Sequence, residues 1–283
     1  MYVKPHFADG YIQVDLNGIM DSEGNEYITT GSFVLSRSCE DDNYTAWEKL
    51  STFKLIAEFP SRSLWKDFTV EQGKSYKYAI QQYNDNGLYS TRITSNEVFA
   101  DFEDSFLYDG ERQLKIRYNP KLGNIKTNLQ ESKIDTMGHK YPFFFRNGEI
   151  NYKEFTIAGL LSFLGDENFF FINKNDLKLN DELHRHDTHS MDKLIDPVSN
   201  NIANERIFKT QVLDWLNNGK PKLFRSPHEG NFIVRLMKVT LNPENKLGRL
   251  LHSFNCTAYE IDKYNYDNLQ KYNFVTITHN QDL

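Results

Sequence analysis

The stretch HRHDTH at 184–189 places three histidines and one aspartate within six residues, and these are side chains that bind zinc. A dinuclear hydrolase site of the type His-x-His-x-Asp-His needs the aspartate directly before the last histidine. Here Asp187 follows His186 directly, so the carboxylate comes one position too early. The polar flanks favour a solvated turn. A catalytic metal site on His184, His186 and His189 therefore remains a remote alternative.

Other patterns that carry chemistry are missing from the sequence. It contains no Gly-x-x-x-x-Gly-Lys phosphate loop and no Gly-x-Ser-x-Gly nucleophile turn. Cys39 and Cys256 have no evident histidine partner, and they lie too far apart in sequence to indicate a disulfide framework. We therefore expect a protein that is not an enzyme and that uses no metal or other cofactor.

Charge and hydropathy exclude further classes of function. The net charge of −6 argues against specific nucleic-acid binding, which normally needs a basic excess. We expect Lys220, Lys222 and Arg225 to form a solvated or inter-subunit face. No apolar run reaches 18 residues, which predicts no membrane span, and the first residues do not resemble a secretory signal.

The first hundred residues alternate between apolar and polar positions, as half-buried strands do. GYIQVDL places Ile12, Val14 and Leu16 on one face, and polar turns separate this segment from similar ones. SYKYAIQQYNDNGLYSTR resembles the last two strands of a fibronectin type III-like module, and SFVLSRSCEDDNYTAWEKL resembles its central hairpin. The resemblance implies an independent β-sandwich over residues 1–98.

The rest of the chain divides by composition. Residues 99–112 are acidic and predict a connector that few contacts cross. A second, mostly β domain is expected over 113–262, with a helix at 204–218 and a polar surface excursion at 165–203. The Tyr- and Asn-rich residues 263–283 are expected to form a C-terminal arm. We expect the second domain to form the assembly and the first to decorate it.

Inside the second domain, QLKIRY alternates with Gln113, Lys115 and Arg117 on the polar side. Asn147-Gly148 predicts a two-residue hairpin turn. In the helix, Trp215 and Leu216 fall on one apolar stripe, and Gly219 follows its end.

The order of motifs in the second domain resembles bacteriophage tail proteins of the distal-tail and baseplate-hub kind. In that family a strand with the pattern F-x-I-x-G-x-L precedes a helix ending in W-L-x-x-G-K, and a strand of the type F-x-C-x-x-Y closes the domain. The matching residues are Phe155, Ile157, Gly159, Leu161, Trp215, Leu216, Gly219, Lys220, Phe254, Cys256 and Tyr259. The fold expected from the resemblance is a tail-tube-like β-sandwich or split barrel with one helix.

The same resemblance implies a structural function. It predicts a homo-oligomeric ring, a hexamer by family analogy, that joins other phage tail proteins in the virion after synthesis in the bacterial cytoplasm. Genome DNA would pass through such a ring without specific contacts. Structural or interface candidates are Trp215, Leu216, Phe155, Ile157, Phe254, Lys220, Lys222 and Arg225. The alternative is an adhesin module that binds carbohydrate or a receptor, for which Trp47, Trp65 and the Tyr-rich turns at 83–89 are the candidate stacking residues.

Overall fold

In the computed structural model the fold is mostly β, as the sequence predicts. The structure describes residues 1–15, 31–55, 64–83, 88–116, 118–135, 142–162, 169–170, 210, 212–243 and 251–275. The strands are β1 Tyr2–His6, β2 Tyr11–Asp15, β3 Gly31–Cys39, β4 Glu48–Leu55, β5 Leu64–Asp67, β6 Ser75–Tyr83, β7 Ile93–Thr94, β8 Val98–Phe99, β9 Ser105–Tyr108, β10 Gln113–Ile116, β11 Tyr118–Leu122, β12 Lys126–Ile134, β13 Phe143–Ser162, β14 Phe169–Phe170, β15 Lys222–Ser226, β16 Gly230–Pro243 and β17 Leu251–Asp262. Helical segments are α1 over 212–216 and α2 over Tyr266–Lys271, with 3-10 turns at Phe7–Asp9 and Glu40–Asp42.

Three sheets organise these strands. A three-stranded sheet has the order β1-β2-β5, and a five-stranded sheet has the order β4-β3-β6-β7 with β8 also paired to β6. The remaining nine strands form one sheet in the order β11-β13-β17-β16-β15-β9-β10-β14, with β12 paired to β13. The two smaller sheets come from the first hundred residues and the large sheet from the rest.

The first hydrophobic core lies between the two small sheets, where alternate residues such as Ile12, Phe33 and Ile80 are buried. A buried ion pair also ties these sheets together, because Arg37 in β3 donates to Asp67 in β5 at 2.8 Å and to Thr69 at 2.8 Å. The same core continues into the large sheet. It includes Phe106, Tyr108, Leu223, Ile233, Leu269 and Phe274.

The predicted connector at 99–112 is instead part of the folded body. Ser105–Tyr108 forms β9, which pairs with β10 on one side and β15 on the other. The aromatic rings of Phe102 and Phe106 are buried and meet edge to face with centroids 5.6 Å apart. The acidic residues of the segment suggested that it is solvated. Its position is determined instead by its aromatic residues, whose large apolar side chains are buried.

Residues 263–275 of the predicted C-terminal arm likewise pack against the first core, and residues 276–283 lie outside the described residues. Asn265 caps α2 by accepting a hydrogen bond from the Asn268 backbone N–H at 2.9 Å. Leu269, Phe274 and Val275 are buried in the first core. The Tyr264 hydroxyl donates to the Thr69 carbonyl at 2.5 Å, so this segment holds the small sheets against the large one.

A group of polar contacts, called the seam here, joins the turn at residues 8–10 to strands β10 and β15. Lys115 donates to the Ala8 carbonyl, Gln113 to the Asp9 carbonyl at 2.7 Å, and Arg225 to the Gly10 carbonyl at 2.5 Å. Three consecutive carbonyls are therefore satisfied by side chains that come more than a hundred residues later. The expectation that few contacts join the first hundred residues to the rest of the chain is therefore wrong.

Gln113 and Lys115 are buried because of the seam, not exposed as the alternation of QLKIRY suggested. Gly10 adopts φ 63°, and a Cβ at this position would overlap the Phe106 ring. Glycine is required here on both counts, since L side chains rarely adopt this conformation and the ring leaves no space.

Candidate interaction surface

The apolar candidates from the sequence lie in a second hydrophobic core, which is formed by the large sheet and α1 and includes Leu107, Leu114, Phe224 and Val234. Phe155, Ile157 and Phe254 lie in the paired strands β13 and β17, where Ile157 is opposite Cys256 and Gly159 is opposite Phe254. Two of the three tail-protein motifs are thus neighbours in one sheet. These side chains are almost fully buried, so they stabilise the subunit and are not available to a partner.

The helix motif covers this core. Val212, Trp215 and Leu216 of α1 are buried against it, while residues 204–209 of the predicted helix lie outside the described residues. The Trp215 indole N–H donates to the Asp109 carboxylate at 2.5 Å. The Asn217 backbone N–H donates to the Leu213 carbonyl at 2.9 Å. The helix ends at residue 216, two residues before the predicted end at 218, and Gly219 follows at φ 69°.

Lys222 lies beneath the helix rather than on a solvated face. Its ammonium lies 4.7 Å from the centre of the Trp215 ring, donates to the Asn218 side chain at 2.8 Å and is 3.9 Å from Asp109. Burial lowers the pKa of Lys222 to about 8, and the nearby Asp109 carboxylate offsets only part of that effect. The amine is enclosed by the chain and cannot reach a substrate or partner.

Arg225 is also fully buried, on the opposite side of β15. Its guanidinium lies 5.1 Å from the Phe102 ring centre and 5.0 Å from that of Phe106. It bonds Gln113 at 2.8 Å in addition to the Gly10 carbonyl. The expected basic face of Lys220, Lys222 and Arg225 therefore does not exist: β15 is covered on both sides, and only Lys220 of the three is exposed.

The surface that sequence reasoning missed is a two-stranded ribbon formed by β12 and residues 143–153 of β13. The ribbon continues past the large sheet, because β17 pairs with β13 only from Glu154 to Ser162. Large apolar side chains on the ribbon remain exposed: Leu129 43%, Ile134 47%, Phe143 45%, Phe144 68%, Phe145 49% and Ile150 52%.

The register of the ribbon decides which of these side chains share a face. Ile134 is opposite Phe143, and Ser132 is opposite Phe145. Because directly opposite residues point to the same side of a sheet and neighbours alternate, Ile134, Phe143 and Phe145 lie on one face, called the aromatic face here. Lys133, Glu131 and Phe144 lie on the other face.

The predicted hairpin turn at Asn147-Gly148 is wrong. These residues lie within β13, where Glu131 is opposite Arg146 but Leu129 is opposite Asn151, so β13 carries extra residues at this point. The strands are joined instead through residues 135–142. Glycine and asparagine suit an irregularity of this kind as well as they suit a turn, which is why the sequence signal was ambiguous.

The aromatic residues proposed for sugar stacking do not form an exposed apolar surface like that of the ribbon. The Arg92 guanidinium lies over the Trp47 ring at 4.6 Å from its centre, and Trp65 is half-buried against the first core. Tyr89 is 60% exposed and lies near Tyr83, with ring centroids 6.0 Å apart. No open platform of parallel rings is formed by these four residues.

The histidines of HRHDTH lie outside the described residues, as does the predicted excursion at 165–203 apart from β14 at Phe169–Phe170. Within the described ranges, no group of three or more His, Cys, Asp or Glu side chains is placed to hold a metal ion. No helix in that part of the chain is long and apolar enough to cross a membrane.

Comparison with known protein families finds no family model that matches this chain, and a search of curated proteins finds no match either.

Proposed function

We propose that the chain is a structural subunit of a bacteriophage tail or baseplate and that it assembles into a ring through its second half. The observation that carries the proposal is the ribbon, which exposes an aromatic face beyond the body of the subunit. Soluble domains rarely expose contiguous large apolar side chains unless a partner covers them. An isolated two-stranded ribbon is also marginally stable in water, so association would stabilise it.

Two further features support this assignment. The three tail-protein motifs of the sequence fall on β13, α1 and β17, which build one core. The two small sheets contain the strand groups β1-β2-β5 and β4-β3-β6-β7, an arrangement consistent with a fibronectin type III-like module in front of the tail domain. The seam would make both parts move as one unit in the assembly.

Native mass spectrometry and negative-stain electron microscopy of the full chain test the ring. We expect closed rings of several copies, and the double variant Phe143→Ser, Phe145→Ser should shift the population to smaller species. Tyr2→Ser is the matched control, because Tyr2 is 64% exposed but lies in β1, away from the ribbon. A parent chain that stays monomeric at all concentrations would contradict the proposal.

Placement in a virion needs its own measurement. Antibodies raised against the folded chain should label one end of the tail in intact phage particles. Labelling of the capsid alone, or no labelling of particles, would contradict the proposed function in the tail.

A further inference from the structure

We propose that the outer edge of β12 is a self-complementary docking site for a second copy of this chain, in an antiparallel two-fold pairing centred on Ser132. The inference concerns a different contact from the ring, because an isologous contact closes a dimer by itself. It does not depend on the phage assignment.

The edge is available for pairing. In the described part of the chain β12 pairs only with β13, which leaves the other side of a nine-residue strand with no neighbouring strand. Glu131, Lys133, Ile134 and Asp135 are exposed along it. An uncovered edge of this length presents a row of backbone donors and acceptors that another strand can pair with.

The aromatic face restricts the register. In a two-fold antiparallel pair, the aromatic faces of both copies join into one surface only if each residue is opposite a residue of the same face. A two-fold axis that passes through a residue meets this condition, because the residue numbers of opposite residues then differ by an even number. Residues an even number apart in a strand lie on the same face. Ile134, Phe143 and Phe145 of the two copies then line one side of a four-stranded sheet.

The charges and the length of the overlap favour one centre among these registers. Of the residues of β12, only Ser132 and Ile134 as centre set opposite charges against each other, and centring on Ile134 overlaps the two β12 strands at that single residue. With Ser132 on the two-fold axis, Glu131 of each copy is opposite Lys133 of the other, which gives two attractive pairs. Centring on Glu131 places two glutamates together. Centring on Lys133 places two lysines together and sets Glu131 against Asp135. Opposite charges across strands stabilise a pair and like charges destabilise it.

Asp135 does not compete with this arrangement. Its carboxylate lies 3.1 Å from the Lys133 ammonium in the same chain, and both side chains are more than half exposed. In the dimer Lys133 would lie between Asp135 of its own chain and Glu131 of the other, and both contacts are attractive.

Charge reversal in the full chain tests the pairing, with dissociation constants from sedimentation velocity. Glu131→Lys and Lys133→Glu should each weaken the dimer by about tenfold or more, because each change sets like charges opposite one another twice. The double variant should restore the dimer, and so should an equimolar mixture of the two single variants. Glu103→Lys and Lys121→Glu, exposed charges outside the edge, should leave the constant within about twofold of the parent value.

Cross-linking gives a second test that does not depend on charge. Ser132→Cys in a Cys39→Ser background should form a disulfide-linked dimer on mild oxidation, because opposite Cα atoms in antiparallel strands lie at a separation that a disulfide spans. Thr127→Cys, exposed on the same strand, should not cross-link.

The possible results separate this inference from the ring. If the chain forms no rings but forms dimers whose dissociation constants change with the charge reversals as expected, the pairing along β12 is supported and the proposed ring is contradicted. If the charge-reversed variants still form rings and Ser132→Cys does not cross-link, the pairing along β12 is contradicted and the proposed ring is not. A parent chain that neither dimerises nor forms rings would overturn both.

Discussion

Replacement of Trp215 measures how α1 is held on the second core. The side chain is 4% exposed, and its indole N–H donates to Asp109 at 2.5 Å. Trp215→Ala should lower the free energy of unfolding by about 3–5 kcal/mol, through lost apolar contact and the cavity left behind. Trp215→Phe keeps most of the packing and removes the hydrogen bond to a carboxylate, which should cost roughly 1.5–3 kcal/mol.

Asp109 makes the second variant informative. Its side chain is 3% exposed and also accepts from the backbone N–H groups of Glu111 and Arg112. Without the indole, that carboxylate keeps these two donors and the Lys222 ammonium at 3.9 Å. The loss in Trp215→Phe should therefore correspond to one hydrogen bond and not to an unpaired buried charge.

Thermal unfolding followed by circular dichroism, with urea denaturation as a second measurement, gives both differences. For a chain of this size 1 kcal/mol corresponds to roughly 2–4 °C in Tm, so Trp215→Ala should melt on the order of 10 °C lower and Trp215→Phe by about half of that. Asp214→Asn, exposed on the same helix, is the control and should melt with the parent. An alanine variant that melts within a degree of the parent would refute the packing described for α1.

Three further predictions follow from the seam, the C-terminal segment and Lys222. Residues 1–100 alone should fail to give a cooperative unfolding transition, because the first core is completed by later residues such as Phe106 and Leu269; a sharp transition would show that the small sheets fold independently. Gly10→Ala should destabilise the full chain by more than Gly73→Ala, since both glycines have positive φ but only Gly10 faces a ring; equal losses measured by urea denaturation would exclude the overlap with Phe106. Lys222→Met should alter the pH dependence of stability, because the unfolded chain holds the Lys222 proton up to about pH 10.5 and the folded chain only to about 8. The free energy of unfolding of the parent should therefore rise by about 3 kcal/mol relative to the variant as pH increases through this interval. The same pH dependence in both proteins would contradict the lowered pKa.

The sequence predicted the elements whose pattern has a local cause. The alternation in GYIQVDL places β2 correctly, because period-two burial can be read from neighbouring residues. SYKYAIQQY forms β6, a strand as the resemblance implied. A helix end close to Gly219 was predictable for the same reason, since a helix stop depends on a few adjacent residues, and α1 ends at residue 216.

The contacts that join distant segments could not be predicted in this way. Gln113, Lys115 and Arg225 have the composition of exposed positions, and only the approach of the turn at 8–10 explains their burial. The ribbon was missed for a related reason. Exposed and buried phenylalanines look alike in a sequence, and whether a third strand covers Phe143 and Phe145 depends on where β17 ends.

The continuity of β13 has a consequence for binding energetics. One strand of 20 residues carries the backbone from the buried sheet at 154–162 directly into the ribbon at 143–153. A binding element held in this way has fewer conformations to lose when a partner docks than a loop of equal length would have, so more of the contact energy remains as affinity. Mobility of the ribbon should concentrate at the irregular pairing between Arg146 and Asn151, where the ladder to β12 is interrupted. Substitutions there should change the rate at which copies associate, even though no side chain of the contact itself is altered.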